Sequence, residues 1–154
     1  MVGHRHEDRG AAAVEFALVA PVFLALLFGI ISFGWMLSYR QSISQGAAEG
    51  ARVLAVSPAG STTTATDART AVNRSLASYG VSCVGSQLKH GTTVVGTCTI
   101  PTASTPCTNN TALRCATVSI THAYRDHPLI PSFPGLGVVL PRNLSFSTTV
   151  EVGS

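Results

Sequence analysis

The chain has 154 residues, 11% charged, with a net charge of +3 and a mean hydropathy of +0.33, which leaves room for one membrane helix and one domain of about 100 residues. Its ten basic residues are scattered and only Lys89 is a lysine, so there is no basic patch and nucleic acid is excluded as a partner. Beyond residue 56 the only carboxylates are Asp67, Asp126 and Glu151, and no G-x-S-x-G, H-E-x-x-H or phosphate-cradling loop occurs, which argues against an enzyme.

Residues 1–10 form a polar leader. His4-x-His6 lacks the carboxylate or thiolate company of a metal site and reads as a solvent-exposed pair, so neither a metal nor a cofactor is expected. From Phe16 to Leu37 the chain runs for twenty-two residues without a formal charge. As a helix that is roughly 33 Å, enough to cross a bilayer core with some tilt. Glu15 stands just before this run, where a carboxylate at the edge of lipid is disfavoured and calls for a partner. Pro21 frees the carbonyl of Ala17, and reads either as a kink in a packed helix or as a tolerated kink in a lone anchor.

Gly10 followed by AAAVEF resembles a type III signal sequence, cut by a prepilin peptidase directly after a glycine. In such signals a hydrophobic helix follows with glutamate at the fifth mature position, and Glu15 has that spacing. The fuller string RGAAAVEFALVAPVF is similar to the TadE-like pseudopilins of the tight-adherence (Flp) pilus assembly machinery. The resemblance is strong over about residues 9–56, weaker at the C-terminus and almost absent between. It implies cleavage between Gly10 and Ala11, and an assembly role for Glu15 through the new amino terminus of a neighbouring subunit. The partners it implies are other pilins including the major Flp pilin, a prepilin peptidase, and a secretion ATPase with its membrane platform. The pre-glycine tail departs from the pattern in carrying Arg5 and Arg9 but no lysine.

Past Leu37 the helix is expected to continue to residue 56. Ile43, Ala47, Ala51, Leu54 and Ala55 recur at helical spacing before Pro58-Ala-Gly60 stops the run. Gly46-x-x-x-Gly50 overlaps Ala47-x-x-x-Ala51 to give a small-sided helix-packing face, directed at this protein's own domain or at another helix. Arg5 and Arg9 at one end of the span balance Arg40 and Arg52 at the other, so positive-inside counting ties. The short N-terminal tail and the position of the cysteines favour a cytoplasmic N-terminus and an extracytoplasmic C-terminal domain. A cleaved secretory signal fits poorly, because the apolar run is too long and no A-x-A site follows it.

Residues 57–65 read as a linker, and 66–154 as an extracytoplasmic α+β domain. Thr66 or Asp67 caps a second helix with Ala68, Ala71, Val72, Ser75, Leu76 and Tyr79 on one face, ending at Gly80. The period then changes to two. Val81–Leu88 and Thr93–Ile100 are expected to form a hairpin about a His90-Gly91 turn, which sets Cys83 opposite Cys98. The four cysteines, Cys83, Cys98, Cys107 and Cys115, are even in number, contain no Cys-x-x-Cys pair and lie beyond the apolar stretch, a disulfide pattern of an oxidising compartment. Of the three connectivities, the hairpin register selects Cys83–Cys98 with Cys107–Cys115.

Pro101–Thr111 reads as a polar loop. Ala116, Val118, Ile120, His122 and Tyr124 share one strand face, where a histidine is more often a hydrogen-bonded core residue than a ligand or base. Pro128–Pro141 is apolar and cannot be an interior strand; it covers the core or offers Leu129, Ile130 and Phe133 to a partner or lipid. A last strand alternates Leu144, Phe146, Thr148, Val150 and Val152 against Ser145, Ser147, Thr149 and Glu151.

The expected architecture is therefore α+β and pilin-like: one long N-terminal transmembrane helix, a short second helix and an antiparallel sheet of about four strands. Three functional readings follow. The first is a non-enzymatic TadE-like minor pseudopilin in the bacterial inner membrane, incorporated into a pilus or held at its base. The second is a signal-anchored, disulfide-stapled binding or adhesion domain with no pilus role. The third, a thiol redox enzyme, needs reactive cysteines and is opposed by paired ones.

Overall fold

The computed structural model describes residues 7–58, 63–130 and 140–153. His4, His6 and Phe133 lie outside them. The chain forms two compact units, Met1–Trp35 and Met36–Ser154. One fifty-residue helix, α1 (Glu7–Val56), contributes to both and continues through Pro21.

In the first unit α1 presents apolar side chains on every side, with Phe16, Leu18, Phe23, Leu26 and Ile30 all exposed. Its most apolar window has a mean hydropathy of 2.6 and is covered by none of the described residues. A helix satisfies its own backbone hydrogen bonds, so such a segment is long and apolar enough to cross a membrane as an anchor.

In the second unit the rest of α1 buries one stripe: Met36, Tyr39, Ile43, Ala47, Ala51 and Leu54, spaced three or four apart. Helix α2 (Thr64–Leu76) buries Ala68, Val72 and Leu76. It begins before the expected Thr66 or Asp67 cap, and the amides of both residues already bond the carbonyl of Thr63. A 3-10 turn, Ala77–Tyr79, follows and stops at Gly80, whose φ of +65° is left-handed.

Among the described residues six strands, rather than the four or so expected, form one antiparallel sheet: β1 (Val81–Val84), β2 (Gln87–His90), β3 (Thr93–Thr99), β4 (Thr105–Pro106), β5 (Arg114–His122) and β6 (Leu144–Val152). The order runs β1-β2-β3-β5. β6 pairs with the whole of β5, from Arg114↔Val152 to His122↔Leu144. β4 pairs with Arg114 and Cys115, beyond the stretch of β5 that β3 occupies.

The α+β expectation holds, but the hairpin differs from its expected form. Val81–Leu88 is not one strand: it turns at Gly85, with φ +62°, and becomes β1 and β2. The next turn is Gly91-Thr92 rather than His90-Gly91, with His90 opposite Thr93. Gly91 has φ +59° and Thr92 does not have positive φ, so glycine takes the first turn position, the one that needs it. A bulge between Leu88 and Lys89 moves the ladder again, placing Leu88 opposite Gly96. Within the expected Pro101–Thr111 loop, Thr105-Pro106 pairs as β4.

At Gly96 the strands approach closely. A Cβ there would lie 1.9 Å from the carbonyl oxygen of Thr121 and 2.9 Å from the Cα of His122. Only glycine fits this position beside β5.

Candidate functional site

At the start of α1, Gly10, Ala11 and Glu15 are all exposed. Ala11 and Glu15 are four residues apart, so they share a helix face. A Cβ at Gly10 would meet nothing within 4 Å among the described residues. Among the described residues, then, the site is an exposed carboxylate-bearing helix face beside an uncrowded glycine.

The small residues of α1 have neighbours within the second unit. Gly46, Ala47, Gly50 and Ala51 are all buried. A Cβ at Gly46 would make ordinary 3.5 Å contacts with Ser75 and with the carbonyl oxygen of Val72. At Gly50 it would come within 2.8 Å of Val72 Cγ2, with Val118 Cγ1 at 3.6 Å. These residues let α1 lie close to α2 and to β5 at once.

One turn or more before them, Tyr39 is fully buried and its hydroxyl lies 2.7 Å from Nδ1 of the buried His122. The other ring nitrogen, Nε2, is 2.9 Å from the carbonyl oxygen of His127. A carbonyl only accepts, so Nε2 carries the proton and Nδ1 accepts from Tyr39. Burial lowers the His122 pKa, opposed by the bond to the His127 carbonyl and reinforced by His127 and His90 nearby. Burial also raises the pKa of Tyr39, helped by Tyr124 and Tyr79. Both groups are therefore neutral at physiological pH and form a strut between α1 and the end of β5.

Aromatic packing surrounds that strut. Tyr39 meets Tyr79 at 5.0 Å, the His122 ring edge-on at 5.3 Å and Tyr124 at 6.1 Å between centroids. Such pairs add about 0.5–1.5 kcal/mol each beyond burial. Ser38 and Tyr79 hydroxyls lie 2.7 Å apart at the edge of the cluster. His122 is thus a satisfied core residue. Tyr39 carries no motif, but its place one helical turn before Ile43 and two before Ala47 on the buried stripe is a signal that periodicity contains.

Residues 10–52 of the chain match the family model described as TadE-like protein. That segment is similar to the TadE-like family. No curated protein and no solved structure matches the chain. The matched segment contains Gly10, Ala11 and Glu15, and also Tyr39, Gly46, Ala47, Gly50 and Ala51, which pack within the second unit. The TadE-like family is a structural family associated with the Tad pilus.

Beyond the TadE-like segment two disulfides staple the sheet. Cys83 is joined to Cys98 with Cα atoms 5.7 Å apart, and Cys107 to Cys115 with Cα atoms 5.0 Å apart. Cys83 lies opposite Leu88, not Cys98, and the bridge passes from β1 to β3 where the amide of Cys98 reaches the carbonyl of Ser86 in the β1–β2 turn. Among the described residues no cysteine is free, and no three His, Cys, Asp or Glu side chains gather as metal ligands.

Asn73, which with Asn109 and Asn143 begins an N-x-S/T triplet, has a local role. Its Oδ1 accepts from the Cys83 amide at 2.6 Å and its Nδ2 donates to the Cys83 carbonyl at 3.3 Å. The side-chain amide from α2 thereby pairs with the edge strand β1 as a neighbouring strand would.

Proposed function

We propose that the chain is a minor pseudopilin of the Tad/Flp pilus system, a non-enzymatic assembly component. The observation that carries this reading is that the TadE-like match, residues 10–52, includes an apolar window of α1 that no other described residue covers. In this reading about residues 16–37 span the inner membrane, the N-terminus is cytoplasmic and the disulfide-bonded domain is extracytoplasmic. Cleavage after Gly10 creates a charged amine at Ala11, and Glu15 pairs with that amine on a neighbouring pilin helix. The physical support is the cost of a lone carboxylate near lipid, about 2.5–3.5 kcal/mol at mid-bilayer and less towards the surface. Partners in this reading are other pilins, the prepilin peptidase and the assembly platform.

N-terminal mass spectrometry of the membrane-extracted chain tests the processing step, with Ala11 as the expected first residue. A Gly10→Val chain still beginning at Ala11 would refute it. Glu15→Gln keeps size and hydrogen bonding while removing the charge, and is expected to leave insertion and cleavage intact but to abolish recovery of other pilins and piliation. Unchanged piliation in that variant would leave Glu15 without an assembly role.

A further inference from the structure

The two outer strands of the sheet are finished differently. Asn73 covers the backbone of β1, whereas β6 pairs with β5 over nine residues and, among the described residues, no strand pairs with its other side. The strand LSFSTTVEV contains no proline, glycine or lysine, and Glu151 is its one charge. A long strand with an open edge and few charges is a template for another strand. Past the buried Leu144, its core-side residues are incompletely covered. Phe146, opposite the buried Ile120, is 41% exposed, and Thr148, Val150 and Val152 are half-buried.

We propose that this edge takes β6 of a second copy of the chain, antiparallel and two-fold symmetric about Thr148, so that two sheets become one. A two-fold antiparallel pair must centre on a residue, and only Thr148, the midpoint of Leu144–Val152, pairs all nine. That register sets Leu144 against the partner's Val152 and Phe146 against the partner's Val150, which covers the exposed apolar ring. On the outer face Ser147 meets the partner's Thr149. Glu151 meets the partner's Ser145, a hydroxyl able to donate to it, so no like charges are opposed. The strand is complementary to its own reversed copy in both apolarity and charge. A strand from a different protein would have no reason to match this register.

The test uses the full-length chain in detergent micelles. Ser147→Cys and Thr149→Cys are purified separately and mildly oxidised alone and mixed; both positions are exposed, and Thr149→Cys gives up only a surface hydroxyl contact with Thr117. Directly opposed residues lie within disulfide range, so the mixture is expected to cross-link several-fold more than either variant alone. In parallel, Ser147→Lys/Thr149→Lys and Ser147→Glu/Thr149→Glu place like charges opposite each other. Each is expected to weaken dimerisation by about tenfold, and mixing the two to restore it. A wild-type chain that stays monomeric, cross-linking equal in the single variants, or dimers indifferent to these charges would overturn the proposal. The last result would place self-association elsewhere, for instance on α1. None of these readouts depends on processing at Gly10 or on Glu15.

Discussion

Tyr39 and His122, 83 residues apart in the chain, meet at 2.7 Å through a buried hydroxyl and ring nitrogen. The contact ties α1 to the central strand of the sheet, and a single change can remove it. Tyr39→Phe removes the donor and leaves Nδ1 of a buried histidine unsatisfied. A loss of about 1–3 kcal/mol is expected in denaturant unfolding of the full chain in detergent. A change under 0.5 kcal/mol would show that the bond is energetically neutral.

The same histidine sets a pH dependence. Its folded pKa lies below the ordinary 6.5, so below that pH the unfolded chain takes up a proton that the folded chain resists. Stability from His122 is complete above about 6.5 and falls as pH drops towards the folded value. Tyr39 works at the other end: its raised pKa means stability is lost above pH 10, where the unfolded phenol ionises first. Thermal midpoints measured from pH 8 to 5 are expected to fall, and His122→Gln is expected to flatten that fall.

Two glycines on one helix face should respond to alanine with opposite signs. At Gly46 the added methyl meets only ordinary contacts, so Gly46→Ala is expected to stabilise by up to about 1 kcal/mol through helix propensity. At Gly50 it collides with the buried Val72, and overpacking of about 1–3 kcal/mol should outweigh that gain. Unfolding midpoints of the two variants, measured together, decide the matter. If both moved the same way, the close approach of α1 and α2 at Gly50 would be in doubt.

Gly96→Ala is expected to be the most damaging small change in the sheet. The methyl would occupy the space of a backbone carbonyl, which cannot rotate away as a side chain can. β3 and β5 must separate, and with them goes the strand that carries His122. Loss of the oxidised, protease-resistant domain on expression is the expected result; a variant that retains wild-type protease resistance would contradict it.

Removing the disulfides singly should give unequal costs. In the chain-entropy picture, loops of 15 and 8 residues correspond to about 3 and about 2.5 kcal/mol. The Cys83–Cys98 pair also reaches from β1 to β3 past the short strand β2, so replacing both with alanine should fray β1 and β2 first. Amide exchange of Cys83, Lys89 and His90 would report it.

Much of this architecture was legible in the chain because it rests on local periodicity and composition. Twenty-two uncharged residues can only be a spanning or buried helix, and the 3.6-residue stripe through Ile43, Ala47 and Ala51 shows that the helix runs on. Alternation over Ala116 to His122 correctly places four residues on one buried strand face; Tyr124 is also buried but lies in the turn beyond the end of β5. What periodicity does not contain is register. A two-residue turn can begin at His90 or Gly91 with little change in local pattern, and the preference was decided by the positive φ of Gly91 and by the bulge at Leu88. Likewise Gly85 hides a turn within an apparent strand, because alternation survives across a tight hairpin. The partners of Gly50, Asn73, Gly96 and Tyr39 were settled only by the tertiary fold. Each is defined by a neighbour distant in sequence, and a steric limit or a buried hydrogen bond exists only once that neighbour has arrived.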